Sequence, residues 1–160
     1  MDLMNRPIRR KERAMDRTEC FKFLKKAEVG RLGLTDGGIA YVIPVNFVLL
    51  DERIYFHGAS KGLKMDLIKR NDRICFETDK FYGIKRGKKA CEYSAKYRSV
   101  IAYGKIRTTK SKDKKILAIK TLMEKHAGSN DWSEIDKKAI EKVTVLEITI
   151  EKISGKKANI

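Results

Sequence analysis

The chain has few of the residues that announce a familiar chemistry. Of its 160 residues, three are cysteine, two proline, two histidine and one tryptophan. Cys20, Cys75 and Cys91 are odd in number and widely separated, which speaks against a disulfide framework. There is no C-x-x-C, and neither His57 nor His126 has a cysteine or carboxylate at metal-ligand spacing, so no metal site is expected. The phosphate-cradling G-x-x-x-x-G-K-[ST], the G-x-S-x-G elbow and H-E-x-x-H are absent. Asp66, Asp72, Glu77 and Asp79 fall at no spacing that pairs two carboxylates for acid–base work. The longest apolar run, Ile39 to Leu50, is interrupted by Pro44 and Asn46 and is far short of the roughly 20 residues a membrane-spanning helix needs. The basic opening MDLMNRPIRRKER lacks the apolar stretch of a secretory signal, so a soluble, cytoplasmic chain with no membrane partner is expected. If such a chain is an enzyme, a cofactor carries the hard chemistry.

What is abundant is positive charge. The formal net charge is +16, on a chain that is 42% apolar and 36% charged. Between Lys80 and Lys115 lie thirteen basic and two acidic residues. Such a field draws anions: nucleic acid, an acidic membrane surface or a phosphorylated small molecule. Phe81, Tyr82, Tyr93 and Tyr97 stand in that window without the spacing of a base-stacking platform, which counts against a nucleic-acid-binding role. The length suits one domain over residues 1–160, large enough to bury about 68–70% of its unfolded surface.

Local patterns outline the elements. Asp16 and Glu19 have capping-box spacing ahead of a helix carrying Phe21, Leu24 and Ala27 on one face, with Gly30 as its stop. Strands are expected at Arg31–Thr35, then, after the Asp36-Gly37-Gly38 hairpin signal, at Ile39–Leu50, read as one long strand covered on both faces. Asp51-Glu52 turns the chain into Arg53–Gly58, where Ile54 and Phe56 face one way and Tyr55 and His57 the other. Ser60 is the expected cap of a short helix bearing Leu63, Leu67 and Ile68 and ending near Asn71. Arg73–Thr78 reads as a strand, 79–96 as a loop without periodicity, and Tyr97–Thr108 as a strand. Helices follow at Ser111–Ala127, with Ile116, Ile119, Leu122 and Met123 inward, and at Ser133–Lys142. Thr144–Ile153, with Leu146, Ile148 and Ile150 on one face, closes the series. The class is mainly β with flanking helices (α+β), an antiparallel, barrel-like sheet of six or seven strands.

Three stretches break local rules in ways that suggest a ligand. In Ile43-Pro44-Val45-Asn46-Phe47 a proline enters a strand, marking an edge or a bulge; a bulge would free the amides of Val45 and Asn46 for something flat and polar. In His57-Gly58-Ala59-Ser60-Lys61-Gly62-Leu63-Lys64 a strand runs through small residues into a helix start beside two lysines, the makings of a phosphate site. In Tyr97-Arg98-Ser99-Val100 two polar residues enter an apolar strand and would complete a pocket or simply face solvent.

Together these segments resemble the FMN-binding split barrels related to pyridoxamine 5′-phosphate oxidase, most of all the nitroimidazole-resistance branch. The resemblance runs from Arg9-Arg10-Lys11 through Gly30-Arg31-Leu32. It is strongest in Tyr41–Phe47, in Ile54–Ala59 with Gly62 and Lys64, in Asn71–Phe76, and in Tyr97–Val100 with Gly104. It implies a homodimer with FMN in clefts at the subunit interface. Pro44, Val45, Asn46 and Phe47 would meet the isoalloxazine edge, and His57, Gly58 and Ala59 would line the ribityl and phosphate. Lys64, with Lys61, would pair with the phosphate, and Ser99, with Arg98, would bind from the later strand. It further implies His57 as an active-site residue and electron transfer to a small oxidised substrate such as a nitro compound. The alternative is a flavin-binding or sensing protein without turnover. The vitamin oxidases carry a C-terminal Trp and Arg that hold substrate, whereas this chain runs Ile153-Ser154-Gly155-Lys156-Lys157-Ala158-Asn159-Ile160, which disfavours pyridoxamine phosphate oxidation.

Overall fold

Asp16 starts the first helix as its spacing predicts. In the computed structural model, which describes residues 6–127, 132 and 135–160, its carboxylate accepts the Glu19 N–H at 2.7 Å while the Glu19 carboxylate accepts the Asp16 N–H at 3.2 Å. Helix α1 (Arg17–Lys26) ends with Ala27 in extended backbone. Gly30 is therefore not its stop. It lies within strand β2 (Val29–Asp36) against the ring of Phe76.

From there the chain forms antiparallel hairpins. Gly37 and Gly38, at φ +54° and +93°, turn β2 into β3 (Ile39–Asn46), a conformation glycine adopts without steric cost. Asp51 and Glu52 take φ 47° and 57° between β4 (Val48–Leu50) and β5 (Arg53–Gly58). Helix α2 (Leu63–Arg70) follows, then β6 (Arg73–Lys85), β7 (Ser94–Thr108), α3 (Lys112–His126), α4 (Lys137–Lys142) and β8 (Thr144–Ala158). A two-residue strand, β1 (Ala14–Met15), pairs with β8. Of the helix expected at Ser133–Lys142, Ser133 and Glu134 lie outside the described residues.

The strand order is β3-β2-β6-β7-β8-β5-β4, every neighbouring pair antiparallel. Its two outermost strands are consecutive in sequence, with Phe47 alone between them. A sheet whose opposite edges are joined by one residue has to curl onto itself, and the result is a half-barrel of seven main strands with helices outside. Phe47 is fully buried at that seam, edge-on to Phe76 with ring centroids 4.9 Å apart. Inside the curl pack Leu32, Phe56, Val100, Leu146 and Ile148, closed by Phe23 and Leu24 of α1 and by Met65, Leu67 and Ile68 of α2. A smaller cluster joins Ala118 and Leu122 of α3 to Val48, Tyr55 and Val145. The middle of β5 is thus covered on both faces, which buries Tyr55 along with Ile54 and Phe56.

Four further expectations need correction. Ile39–Leu50 is two strands, and β3 is an edge strand with Ile39 75% and Val42 59% exposed. The expected loop at 79–96 is mostly ladder: β6 and β7 stay paired from Asp79↔Ser99 to Lys85↔Ser94, with a register shift between Phe81 and Gly83. Beyond Thr78 and Val100 this hairpin arm leaves the core, so neither of its faces shows a buried alternation. The N-cap of α2 is Gly62 at φ 103°, not Ser60, and Leu63 is exposed. On α3, Met123 is exposed and Ala118 takes an inward place.

Candidate functional site

Pro44 sits on the free edge of the half-barrel, opposite Arg31, in a ladder that runs without register shift from Val29↔Asn46 to Asp36↔Ile39. Of the two alternatives the proline offers, the structure shows the edge and not the bulge. The backbone polar groups of a strand alternate between its two sides, so only one of the adjacent Val45 and Asn46 amides can face outward. The Thr78 hydroxyl donates to the Val29 carbonyl at 2.9 Å, which turns Val29 toward β6 and therefore Gly30 toward β3. Val45, the partner of Gly30, is the paired residue, and Asn46 presents its backbone to the open edge. Pro44 falls on that same outward parity, where its missing N–H costs no ladder bond.

Across from this edge β5 runs out at His57 and Gly58, and the chain passes through Ala59–Gly62 into α2. Lys64, in the first turn of α2, folds its side chain back over Gly58. A β-carbon on Gly58 would collide with the lysine nitrogen, so the glycine is what lets the ammonium settle there. Burial holds the Lys64 ammonium below its ordinary pKa, with no opposing carboxylate among the causes, and the nitrogen stands 5.8 Å over the Phe56 ring. A half-buried cation with no ion-pair partner among the described residues, beside a helix N-terminus, is poised to take an anion.

Ile43, Pro44, Val45, Asn46, His57 and Lys64 line one open cleft of about 420 Å³. The structure therefore brings together Pro44, Val45, Asn46, His57 and Lys64 from two of the three stretches, and Gly58 lies against the lysine nitrogen. Ala59 and Lys61 are exposed on the adjoining turn. Phe47 is buried in the seam, and its carbonyl accepts a hydrogen bond from Lys125 Nζ at 3.0 Å. Arg98 does not reach the cleft. It lines a different, larger cavity between α1 and the β6–β7 arm. Ser99 lies opposite Asp79 and Lys156 in the sheet and lines neither cavity. Sequence reasoning missed Ile43 as a lining residue, though it stood within the flagged stretch. It also missed Lys125, whose only signal is its place in the last turn of α3.

The donor set suits a phosphorylated ligand with a flat polar part. One cation and the helix start stand at one side, and an unpaired strand edge with the His57 imidazole at the other. Residues 16–157 match the family model described as pyridoxamine 5′-phosphate oxidase. Among curated proteins none matches the chain. Solved structures share its fold. One is a candidate 5-nitroimidazole antibiotic resistance protein from Bacteroides thetaiotaomicron, 24% identical over 89% of this chain and 85% of that one, with a TM-score of 0.75. The flavocytochrome Anf3 from Azotobacter vinelandii is 20% identical over 100% of this chain and 75% of its own, with a TM-score of 0.83. An FAD-binding protein from Mesorhizobium loti is 23% identical over 92% and 98%, with a TM-score of 0.68.

Proposed function

The chain belongs to the pyridoxamine 5′-phosphate oxidase family, and from that premise we propose that it is an FMN-binding flavoprotein acting as an oxidoreductase on a small oxidised substrate. The observation that carries this reading is the Lys64 ammonium, half-buried, with no ion-pair partner among the described residues, and seated on Gly58 in the cleft that also holds the Asn46 edge. Lys64 and the start of α2 would hold the phosphate, with Lys61 at the rim. The backbone at Pro44–Asn46 would meet the ring's polar edge. The flavin supplies the electron transfer, as cofactors do. The protein's part is to orient the ring and limit water around it, and His57 at the cleft rim can hand a proton to the acceptor. The proposed acceptor class is a nitro compound.

A homodimer goes with this reading. Pro44 and Asn46 share the outer face of the sheet with Val42 and Ala40, which line an apolar cleft together with Gly33, Cys75 and Tyr103. A second subunit laid on that face would cover the exposed Val42 and close the flavin cleft from outside. Ser99 would approach a flavin only from such a partner. Among the described residues no helix is long and apolar enough to cross a membrane, and the proposed setting is cytoplasmic.

The test is the visible absorption spectrum of freshly purified protein, with the released chromophore identified by mass. Bound FMN is the expected result, and bound FAD would correct the cofactor. A colourless protein that takes up neither overturns the reading. Bound flavin that stays oxidised with every reductant, or reduced with every nitro acceptor, would leave a binding protein without turnover.

A further inference from the structure

Lys80, Arg98 and Lys157 occupy one rung across three adjacent strands: Lys80 pairs with Arg98 in β6–β7, and Arg98 with Lys157 in β7–β8. Directly opposed side chains in an antiparallel sheet point to the same face, and like charges placed so repel. Lys157 is neutralised by Glu19 at 2.5 Å. Lys80 and Arg98 have no such partner among the described residues, and Arg98 Nε is buried without any hydrogen bond. A rung of this kind is costly in the empty protein and becomes favourable when an anion lies over it.

The rung forms one wall of the larger cavity, about 620 Å³, between α1, the start of β2 and the β6–β7 arm. Lys22, Lys26, Arg31, Lys80 and Arg98 supply its positive charge, and Glu19, Glu28 and Asp79 its negative charge. Glu19 is engaged by Lys157, and Asp79 by Arg31 at 2.5 Å. Lys22, Lys26, Lys80 and Arg98 then stand against Glu28 alone, so the surplus of positive charge exceeds the −1.5 to −2 or so that a single phosphate carries near neutral pH. Phe23 and Tyr82 add aromatic surface, Tyr82 with the Lys80 ammonium 5.8 Å from its ring centroid. Charge above one phosphate beside aromatic rings fits a nucleoside diphosphate better than a carboxylate or a lone phosphate.

We infer that this cavity is a second ligand site, separate from the Lys64 cleft, that binds the diphosphate and ring of a nucleotide. It adjoins the cleft. Val29 and Arg31, which line it, are the ladder partners of Asn46 and Pro44, which line the other. Paired residues stand about 5 Å apart on a common face. A dinucleotide held here would present its far end to the neighbouring cleft, which makes the site suited to a nucleotide electron donor.

Calorimetric titration of the full chain with ADP, inorganic pyrophosphate and inorganic phosphate at about 0.15 M ionic strength tests it, before and after incubation with FMN. ADP and pyrophosphate should bind saturably at one per chain, and phosphate at least tenfold more weakly. Arg98→Met and Lys80→Glu should each weaken ADP at least tenfold. Lys80 lies on the exposed arm, so its variant stays informative should Arg98→Met fail to fold, and it should leave FMN uptake unchanged. No saturable heat, or equal affinity for phosphate and pyrophosphate, overturns the site. Competition between ADP and FMN also overturns it, since both would then occupy the Lys64 cleft. Because ADP binding is measured without flavin, a failure of the flavin reading is seen separately.

Discussion

The Lys64 nitrogen rests against the α-carbon of Gly58 so closely that a methyl group there would take its place. Replacing Gly58 with Ala should therefore push the ammonium out of the cleft without disturbing a buried side chain. A charge-assisted hydrogen bond is worth about 1.5–3 kcal/mol, so Gly58→Ala and Lys64→Met should each weaken FMN about ten- to a hundredfold. Lys64→Glu, which sets a like charge against the phosphate, should abolish retention. Thermal midpoints should stay near that of the parent. Fluorescence titration with FMN reads the affinity, and undiminished binding by Lys64→Glu removes that residue from the site.

Glu147 should act on stability and not on the site. Its carboxylate is 1% exposed and bonds Arg53 at 2.6 Å and Arg107 at 2.9 Å, with Lys114 at 3.8 Å. Burial alone would raise its pKa, but the hydrogen bonds of Arg107 and Arg53 and the charges of Arg107 and Lys114 outweigh that and hold it below the ordinary carboxylate value. A carboxylate whose folded pKa is depressed adds stability above its unfolded pKa, and loses it as pH falls through the folded one. The parent should lose stability below about pH 4.5. Glu147→Gln should lack that component and cost about 1–3 kcal/mol at neutral pH, the scale of weakened hydrogen bonds to charged groups, since the arginines it releases stay in reach of water at 36% and 65% exposure. Urea unfolding of both proteins between pH 3 and 7 reads the difference.

Why some of this was legible and some not follows from what each residue faces. Pro44, Gly58 and Lys64 were visible because each breaks the rule of the element that carries it. Their meeting in one cleft needed the three-dimensional path, since β3 and β5 are not neighbours in the sheet. The seam at Phe47 was hidden because an apolar residue within an apolar run looks like more strand. The β6–β7 arm was read as a loop because neither face beyond Thr78 is buried, and strand periodicity appears only where one face meets a core. Glu147 gave a false signal. In Val145-Leu146-Glu147-Ile148 it resembles a solvent-facing position, yet all four are buried between the barrel interior and α3.

Lys125 predicts an alkaline effect of the same sign as that of Glu147, in a separate pH window. Its ammonium donates to the carbonyls of Ala27 and Phe47 and lies 4.6 Å over the Phe47 ring, tying α3 to the seam. Burial lowers its pKa to about 8. Between that value and about 10.5 the unfolded chain binds the proton and the folded one does not, so this lysine's contribution to stability rises with pH. Cys20 opposes it, its buried thiol pushed up to about 11, which is why the comparison has to be with a variant. Lys125→Met keeps the contact with the ring and removes the titration. The stability difference, parent minus variant, should grow from pH 8 to 10, and a constant difference would show that the amine is solvated.

Gly30 is where a residue read as a helix stop turns out to be a packing requirement. A β-carbon there would penetrate the ring of Phe76, which is fully buried and set edge-on against Phe47. The ring cannot simply swing away, because the seam closes behind it. Gly30→Ala should destabilise by about 1–3 kcal/mol, the usual cost of overpacking a filled core, with the urea midpoint lowered and its slope unchanged. Phe76→Leu alone leaves a cavity, but combined with Gly30→Ala it makes room for the new methyl group. The double variant should then be more stable than the sum of the single losses by at least about 0.5 kcal/mol, the coupling expected of residues in contact. Strict additivity would mean that β2 moves away as a unit and that the seam does not fix the distance between Gly30 and Phe76.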